Sequence, residues 1–520
     1  MPVDDVVLFM QRSIDRLVRR LRLGPAPPAG PRRLLIVQID GLSLKVLERG
    51  LAEGRMPFLR HLLRRRGYRL EPMSVGMPTS TPAFQMAAMY GVRPDIPGFH
   101  YHDKRRGRDV YFPLAGDAAD VETRQAAGRV GILRDGSAYG CVFTGGAANH
   151  LFNFATIKQP TGTGLLRAVS ASVIVGWVIV KGVALTTLEL TRAVLRLLAD
   201  PVRETRRGFK RLLIKIGISV WLRELFTLAV SRDLYRGVPA IYVNYLDYDV
   251  FAHAYGPEHP LARRALRRVD RSLRDLARVL RRVPEWRYDL YVLSDHGQVL
   301  TTPFHRLNAG RTLEQVLFED VFTPAATSEV SLYRPEGRRI PWVLGEPRAA
   351  REREGVRIIA AGPNAFIYFV DLPRPLSAEE IDARHPALIE ELSRRPDIGF
   401  VLARSSRGPV CGWGGKRCVL GDGEAGPFTG RVDSVLVLDG IRDLMAMECA
   451  GDLVLYGNEA RAGNVSFLHE VGAHAGPSPE ELHAFIVLPP GAIRPSPPLA
   501  HPTQLYSYFR RSQEIDGTAT

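Results

Sequence analysis

The sequence predicts an α/β fold in which a doubly wound, mostly parallel sheet carries a helical insertion. Three observations support this fold class. Short apolar runs typical of buried strands alternate with amphipathic patterns typical of helices. Three of these runs, "RRLLIVQID", "AIYVNYLDYD" and "YDLYVLSDHG", lead into aspartate. The 520 residues, 45% hydrophobic and 24% charged, are ample for a globular core with insertions.

The first segment, residues 1–30, is predicted to lie outside the core. "MPVDDVVLFMQRSIDRLVRRLRLG" has early acids, late arginines and no continuous apolar stretch, which favours a basic amphipathic helix over a signal peptide. "GPAPPAGP" then predicts a stiff linker. Because no signal peptide is recognisable, we expect a cytoplasmic protein, with peripheral or integral attachment to a membrane left open.

Residues 31–150 are predicted to form the first part of the core. "RRLLIVQID" is a strand that ends at Asp40, and "MPFLRHLLRRRG" is a helix closed by Gly67. The Ser/Thr-rich turn "MPTSTPAF" precedes the next predicted helix.

Residues 151–235 are predicted to be a helical insertion. Its segment 168–188 is apolar except for Lys181 and is just long enough to cross a bilayer. A lysine near the centre of a span costs about 3 kcal/mol, which disfavours spanning. Three alternatives stay open: contact of residues 165–230 with an anionic membrane surface or another subunit, ordinary burial against the core, and a true span.

Residues 236–310 form the second part of the core, where the basic helix 261–282 separates two strands. The carboxyl ends of strands in an open α/β sheet meet at one edge, so the aspartates and histidines after the strands are expected to gather there. Such a cluster needs a positive charge among its members, and a divalent cation supplies one. Oxygen and nitrogen ligands without thiolate suit Zn²⁺ or Mn²⁺.

Residues 311–520 are predicted to complete the core and to add cap elements. "ELHAFIVLPPG" reads as a strand, and "CGWGGKRC" predicts a tight loop or hairpin. The four cysteines are too few and too scattered for a disulfide framework.

The charge balance indicates an anionic partner. The net charge is +15 and the pI about 9.9, which fits a phosphate-ester substrate or acidic lipid. No nucleic-acid-binding motif is present, so nucleic acid is not a predicted partner. Many arginines fall in helices with Leu/Val stripes, where a solvent-exposed basic face is expected.

In chain order, Asp40, "MPTSTPAF", "DVFAHAYGP", "SDHG" and "GAHAG" resemble the alkaline phosphatase superfamily, most closely its type I phosphodiesterase/nucleotide pyrophosphatase branch. The resemblance covers residues 33–150, 235–310 and 460–490. It implies a sheet of the alkaline phosphatase type and a two-metal hydrolase that cleaves phosphodiester or pyrophosphate bonds through a Ser/Thr phospho-enzyme. Two alternatives stay open: a phosphomonoesterase or phosphoryl-transfer enzyme of the same superfamily, and a non-catalytic membrane-associated scaffold.

The resemblance also implies the ligands of two divalent ions, Zn²⁺ or Mn²⁺. One ion is held by the nucleophile together with Asp40, Asp295 and His296. The other takes an aspartate, a histidine four residues later and a late histidine, which match Asp249, His253 and His474.

The nucleophile lies in "PTSTPAF". The branch usually places proline two residues after the nucleophile, which selects Ser80 ahead of Pro82, whereas counting ten residues back from Gly91 selects Thr81. We predict Ser80, with the other hydroxyl capping the helix. The branch has asparagine just after the proline and this chain has Ala83, so nucleotide specificity is not predicted and diester, monoester and phospholipid substrates stay open.

Overall fold

The computed structural model describes residues 32–151, 221–322, 331–333, 350–421 and 423–514, with isolated positions between 183 and 191. The predicted N-terminal helix and linker, residues 1–30, lie outside the described residues. Most of the predicted insertion, including the apolar segment 168–188, lies outside them as well. In the described part of the chain, no helix has both the length and the apolarity that a membrane span requires.

The strands are numbered along the chain. They are β1 Arg33–Ile39, β2 Arg69–Ser74, β3 His100–Asp103, β4 Arg108–Tyr111, β5 Ser137–Tyr139, β6 Asn149–Leu151, β7 Ala240–Tyr245, β8 Tyr288–Leu293, β9 Val299–Leu300, β10 Thr302–Pro303, β11 Ser331–Tyr333, β12 Ala350–Arg353, β13 Val356–Ala360, β14 Asn364–Phe369, β15 Phe400–Ala403, β16 Val410–Trp413, β17 Lys416–Val419, β18 Leu453–Tyr456, β19 Val465–Ser466, β20 Gly472–Ala473 and β21 His483–Leu488.

The α-helices are numbered in the same way. They are α1 Leu44–Ala52, α2 Pro57–Arg65, α3 Thr81–Tyr90, α4 Ala115–Gln125, α5 Arg223–Arg236, α6 Asp247–Tyr255, α7 Pro260–Arg282, α8 Phe304–Leu307, α9 Leu313–Val316, α10 Ala378–Arg384, α11 Leu388–Arg394, α12 Ser434–Ala446, α13 Pro479–Leu482 and α14 Thr503–Glu514. Short 3-10 helices cover Pro284–Trp286 and Gly426–Phe428, and a π-helical turn covers Leu317–Val321.

The central sheet has seven strands in the order β2-β21-β8-β1-β7-β5-β6. The five strands from β8 to β6 are parallel, which confirms the predicted mostly parallel α/β sheet. The edge differs, because β21 pairs antiparallel with both β8 and β2. Apolar content identified β21 as a strand, but the direction of a strand depends on its connections, and a local pattern does not encode those.

Strand β1 shows why the parallel strands are continuous apolar runs. Leu34 and Ile36 pack into the core on one face of the sheet, and Leu35, Val37 and Ile39 pack into the core on the other face. Both faces are therefore covered, as is usual for parallel sheets.

A second sheet of eight antiparallel strands covers one of these faces. Its order is β11-β12-β13-β14-β18-β15-β16-β17. Phe366 and Tyr368 of β14 and Phe400 of β15 share a core with β1. The predicted hairpin "CGWGGKRC" is confirmed as β16 and β17, joined at Gly414 and Gly415, whose φ angles of 58° and 82° favour glycine.

Helices cover the opposite face of the central sheet. The predicted basic helix is confirmed as α7, which buries an apolar stripe at helical spacing that includes Leu266, Leu273 and Leu276. Asp270 of α7 accepts the N–H groups of Phe58 and Leu59 at 2.9 and 2.8 Å. This carboxylate satisfies free donors at the N-terminus of α2 and fixes the two helices to each other.

Candidate metal centre

The turns after β1 and β8 bring three fully buried donors together, and we call Asp40, Asp295 and His296 the first group. His296 Nε2 lies 3.6 Å from Asp40 Oδ1 and 3.4 Å from Asp295 Oδ2. The three residues offer ligand atoms within 4.8 Å of one another. Asn244 of β7 donates to Asp40 Oδ2 at 2.6 Å, and the Gly41 N–H donates to Asp295 Oδ1 at 3.3 Å. The backbone of the central sheet therefore positions this group.

Helix α6 and the turn after β20 supply the second group, Asp249, His253 and His474. Asp249 and His253 are one helical turn apart, with His253 Nε2 3.4 Å from Asp249 Oδ2. The ring of His474 lies 5.0 Å from that of His253 and stacks at 3.7 Å on that of His296. Asp249, His296 and His474 also offer ligand atoms within 4.8 Å of one another. The two groups therefore adjoin at His296.

The three imidazoles all use Nδ1 for a backbone carbonyl. His253 Nδ1 donates to the Gly472 carbonyl at 2.9 Å, His296 Nδ1 to that of Gly297 at 3.0 Å, and His474 Nδ1 to that of Thr79 at 2.7 Å. A carbonyl only accepts hydrogen bonds, so Nδ1 carries a proton in each ring and Nε2 is the nitrogen left to bind a metal. This arrangement is typical of metal-binding histidines.

The sequence interpretation did not identify the residues that support the second group. Gln298 Nε2 donates to the Asp249 carboxylate through Oδ1 and to its backbone carbonyl at 3.2 Å. At Gly41 there is no room for a side chain, because a Cβ atom would lie 2.5 Å from Asp249 Oδ1. Gln298 directly follows "SDHG", but a single buried glutamine gives no signal in a sequence.

Thr79 was likewise not assigned a function. Its Oγ1 donates to the Gly476 carbonyl at 3.1 Å and accepts the Ala475 N–H at 2.9 Å. Its own carbonyl accepts from His474. Thr79 therefore fixes the turn that carries His474.

The other two hydroxyls of this turn have different surroundings. Thr81 Oγ1 lies 3.3 Å from Asp40 Oδ1 and 3.2 Å from His296 Nε2. Ser80 Oγ is buried and makes no hydrogen bond to any residue that the structure describes. Ser80 occupies the N-cap position of α3, but its side chain does not cap the helix. The contacts thus favour Thr81 over Ser80, which the proline spacing had selected.

The proline spacing does not by itself separate the two hydroxyls, because Pro82 lies inside the first turn of α3, directly after Thr81. Proline is favoured at the start of a helix for its fixed φ angle and its missing N–H, whatever residue precedes it. Gly91 marks the other end of the helix with a φ of 68°. Counting back from Gly91 therefore agrees with the contacts of Thr81, and the choice between the two hydroxyls stays a prediction.

Burial raises the pKa of both carboxyls in the first group, because no cationic side chain among the described residues offsets it. The pKa of Asp295 is raised to about 7, first by burial and then by repulsion from Asp249. The pKa of Asp40 is raised well above its usual range by burial and by repulsion from Asp295 and Asp249. Asp295 Oδ2 accepts no hydrogen bond from the described residues. Among the described residues, neither carboxylate therefore has a positively charged side chain beside it.

The pKa values of the three imidazoles shift in two directions. Burial lowers the pKa of His296 to about 4, and burial together with the two neighbouring imidazoles lowers that of His474 to about 3. Burial would also lower the pKa of His253, but the carboxylates of Asp249 and Glu470 raise it to about 9. The neutral imidazoles of His296 and His474 beside buried carboxylates are donors that a divalent cation needs, whereas His253 would have to release a proton to bind one.

Asp247, next to the second group, is not part of the cluster. It is buried, and its Oδ1 lies 3.5 Å from Arg223 Nε. The guanidinium provides the positive charge that the clustered aspartates lack.

The sequence model of the family described as type I phosphodiesterase/nucleotide pyrophosphatase matches residues 34–342. No curated protein matches the chain.

Two solved structures are similar to the chain. Phosphonoacetate hydrolase from Sinorhizobium meliloti 1021, in complex with phosphonoacetate, has 15% identity and a TM-score of 0.46, over 93% of this chain and 96% of that one. Murine ectonucleotide pyrophosphatase/phosphodiesterase 5, an inactive variant in complex with AMP, has 13% identity and a TM-score of 0.48, over 93% and 95%.

Proposed function

The chain belongs to the type I phosphodiesterase/nucleotide pyrophosphatase family, and we propose that it cleaves phosphodiester or pyrophosphate bonds with Thr81 as nucleophile and two divalent metal ions. The chain is a phosphoester hydrolase, as its family is. The proposal adds the bond type, the nucleophile and the metal ligands.

One observation carries the proposal: the position of the Thr81 hydroxyl. Its Oγ1 lies between Asp40 and His296, within 3.3 Å of a ligand atom of each. It also lies at the N-terminus of α3, where free backbone N–H groups and the helix dipole favour an anionic phosphoryl group. Nucleophile, metal donors and phosphate-binding donors thus meet at one point.

The donor set fits two ions. Asp40, Asp295 and His296 would hold one, and Asp249, His253 and His474 the other. When bound, such ions lower the pKa of a hydroxyl and neutralise phosphoryl charge. Oxygen and nitrogen ligands without thiolate favour Zn²⁺, and Mn²⁺ is the alternative.

The chain's own residues perform the remaining steps. Thr81 Oγ1 donates its hydrogen bond to Asp40, which is the route for the hydroxyl proton as Oγ1 attacks phosphorus. The bond to the leaving oxygen breaks, that oxygen takes a proton from solvent, and a phosphothreonine forms. Water then attacks that phosphorus and loses a proton to solvent, while the bond to Oγ1 breaks and Oγ1 takes back the proton from Asp40. Asn244 keeps Asp40 oriented through the other carboxylate oxygen.

Substitutions at the two adjacent hydroxyls test the nucleophile. Thr81→Ala should lower turnover by about a thousandfold or more, since the residue acts in the chemical step itself. Thr81→Ser should retain part of the activity, because a hydroxyl remains. Ser80→Ala is the matched control, and we expect activity close to that of the wild type. Metal content, measured by inductively coupled plasma mass spectrometry, should be unchanged in all three variants. An inactive Ser80→Ala beside an active Thr81→Ala would overturn the assignment.

A substrate panel tests the bond type. We expect bis-p-nitrophenyl phosphate to be hydrolysed faster than p-nitrophenyl phosphate, and EDTA to abolish both reactions. Preference for the monoester would favour the phosphatase alternative, and activity that resists EDTA would argue against the metal sites.

A further inference from the structure

Helix α7 presents a regular row of arginines to solvent, which we call the arginine stripe: Arg264, Arg267, Arg271, Arg274, Arg278 and Arg281. The spacing alternates between three and four residues, so all six side chains lie within one third of the helix circumference. At 1.5 Å per residue the stripe is about 25 Å long. The opposite face of α7 is buried in the core, so the helix cannot rotate this charge away.

Most of the stripe is not neutralised. The helix has two acidic residues. Asp270 is buried and accepts from the N-terminus of α2, and Asp275 pairs with Arg274 and Arg278 at 3.5 and 3.0 Å. In the part of the chain that the structure describes, the other four members of the stripe form no ion pair with a carboxylate: Arg264, Arg267, Arg271 and Arg281.

Helix α2 extends the same basic surface. It is fixed to α7 at Asp270 and packs in the same core, and its last two residues, Arg64 and Arg65, are followed by Arg66. These three side chains are exposed and have no carboxylate partner among the described residues. Among the described residues elsewhere on the surface, many arginines form ion pairs, for example Arg106 with Asp120 at 2.8 Å. By contrast, arginines without an ion pair lie side by side on α7 and at the end of α2.

We propose that the arginine stripe of α7, with the end of α2, is a docking surface for an anionic lipid bilayer. A bilayer is a plane of negative charge, and each basic residue held near it adds attraction without needing a specific partner. A straight row of guanidinium groups on a rigid helix matches such a plane. The proposal is independent of the hydrolytic mechanism.

The composition of the surface favours lipid over nucleic acid. Surfaces that bind nucleic acid combine arginine with Ser, Thr, Asn, Gln or aromatic side chains that contact sugars and bases. Helix α7 has no aromatic residue, and its one hydroxyl residue, Ser272, is buried against α5, where it accepts from Arg223 at 3.1 Å. Only charge faces outward, and charge is what an anionic bilayer recognises.

The stripe also begins beside the candidate metal centre. Helix α6, which carries Asp249 and His253, ends at Tyr255, and α7 begins at Pro260. Arg264 is the fifth residue of α7, so the stripe begins near the end of the helix that follows α6, and a bilayer contacting the stripe would approach that end.

Vesicle binding by the full-length protein tests the proposal. The probes are vesicles of phosphatidylcholine alone and vesicles with about 30% phosphatidylglycerol, assayed by flotation at low and high salt. The wild type should bind the anionic vesicles, and high salt should release it. The triple variant Arg264→Gln, Arg267→Gln, Arg271→Gln should bind about a hundredfold more weakly, at about fivefold for each arginine.

A matched control separates position from total charge. Arg129→Gln, Arg306→Gln and Arg407→Gln remove the same charge from exposed positions outside α2 and α7. This variant should bind like the wild type. Both triple variants should hydrolyse a soluble diester at the wild-type rate, which shows that they are folded.

Four outcomes would overturn the proposal. The wild type fails to bind anionic vesicles, or it binds neutral vesicles equally well. The two triple variants weaken binding equally, so that net charge alone is responsible. The stripe variant loses affinity for a duplex DNA oligonucleotide instead, in which case the partner is nucleic acid.

Discussion

The two groups of metal donors differ in how the fold holds them. In the first group, Asp40 and Asp295 stand two residues beyond Gln38 and Leu293, which are register partners in adjacent parallel strands. Their side chains are buried, and backbone pairing determines their separation. In the second group, Asp249 and His253 lie on a helix and their side chains remain 15% and 25% exposed.

The difference shows what each group depends on. The position of the first group follows from strand pairing in the centre of the sheet, which is lost only when the fold is lost. The position of the second depends on side-chain hydrogen bonds from Gln298 and Thr79 and on the turn that carries His474. We therefore expect the second ion to be bound more weakly and to be more sensitive to substitution.

Substitution of the shared imidazole should have the largest effect. His296 offers a ligand atom to both donor clusters, whereas His253 lies near one of them. His296→Ala should lower bound metal to less than one ion per chain and turnover by about a thousandfold or more. His253→Ala should leave about one ion in place. Metal analysis after gel filtration measures both, and equal losses in the two variants would contradict the distinction between the groups.

The stability of the metal-free protein should depend on pH, and the pKa shifts give the direction. The raised pKa of Asp295, about 7 against an ordinary 3.8, means that its contribution to the stability of the metal-free protein is complete at low pH and lost as pH rises through 7. The raised pKa of His253, about 9, has the same sign, so that its contribution is lost as pH rises through 9. Bound metal requires the deprotonated ligands, so it competes with these protons.

The gain in stability on adding Zn²⁺ to EDTA-treated protein should therefore be larger at pH 8 than at pH 5. At a hundredfold excess over the dissociation constant we expect about 3 kcal/mol at the higher pH. Thermal unfolding at the two pH values measures it. A gain that is equal at both would mean that these carboxyls and His253 are not ligands.

The sequence predicted Asp40 and Asp295 of the first group, but it did not predict the residues that support the donors, and the reason is physical. A buried strand that ends in aspartate is a local pattern, and the rule that strand ends share an edge converts several such patterns into one site. That reasoning brought Asp40 and Asp295 together before the structure was known. The roles of Gln298 and Thr79 depend on contacts with residues distant in the chain, and no local pattern encodes those.

The same limit applies to the nucleophile turn and to the second sheet. Ser80 and Thr81 are neighbours of similar chemistry, and only the geometry of the helix start shows which hydroxyl contacts Asp40. The eight-stranded sheet was expected only as further sheet and cover, because antiparallel pairing among short strands is determined by connections rather than by composition.

Substitution of Gln298 should weaken the second ion selectively. Gln298→Met keeps the size of the side chain and removes both hydrogen bonds to Asp249. Residues that orient metal ligands typically change affinity by about 10- to 100-fold, and we expect a loss in that range for one of the two ions. Competition with a chromophoric chelator measures both affinities. Gln315→Met, at a capping glutamine remote in sequence from the donors, is the control. If both ions weaken equally, Gln298 supports the whole site rather than the second group.

The smallest effect is expected at Thr79, which acts on the second group through a turn. Thr79→Val keeps the shape of the side chain but removes the hydrogen bonds to Ala475 and Gly476, while its backbone carbonyl still accepts from His474. Two buried backbone groups then lose their partner, at about 1 kcal/mol each in the free energy of unfolding. The weaker ion should lose affinity by a few fold at most, since His474 keeps its own hydrogen bond. Thr79→Ser retains the hydroxyl and should behave like the wild type in denaturant unfolding and in metal competition. A Thr79→Val protein with unchanged stability would show that the turn at His474 is held by other contacts, and the contrast between the two groups would then rest on Gln298 alone.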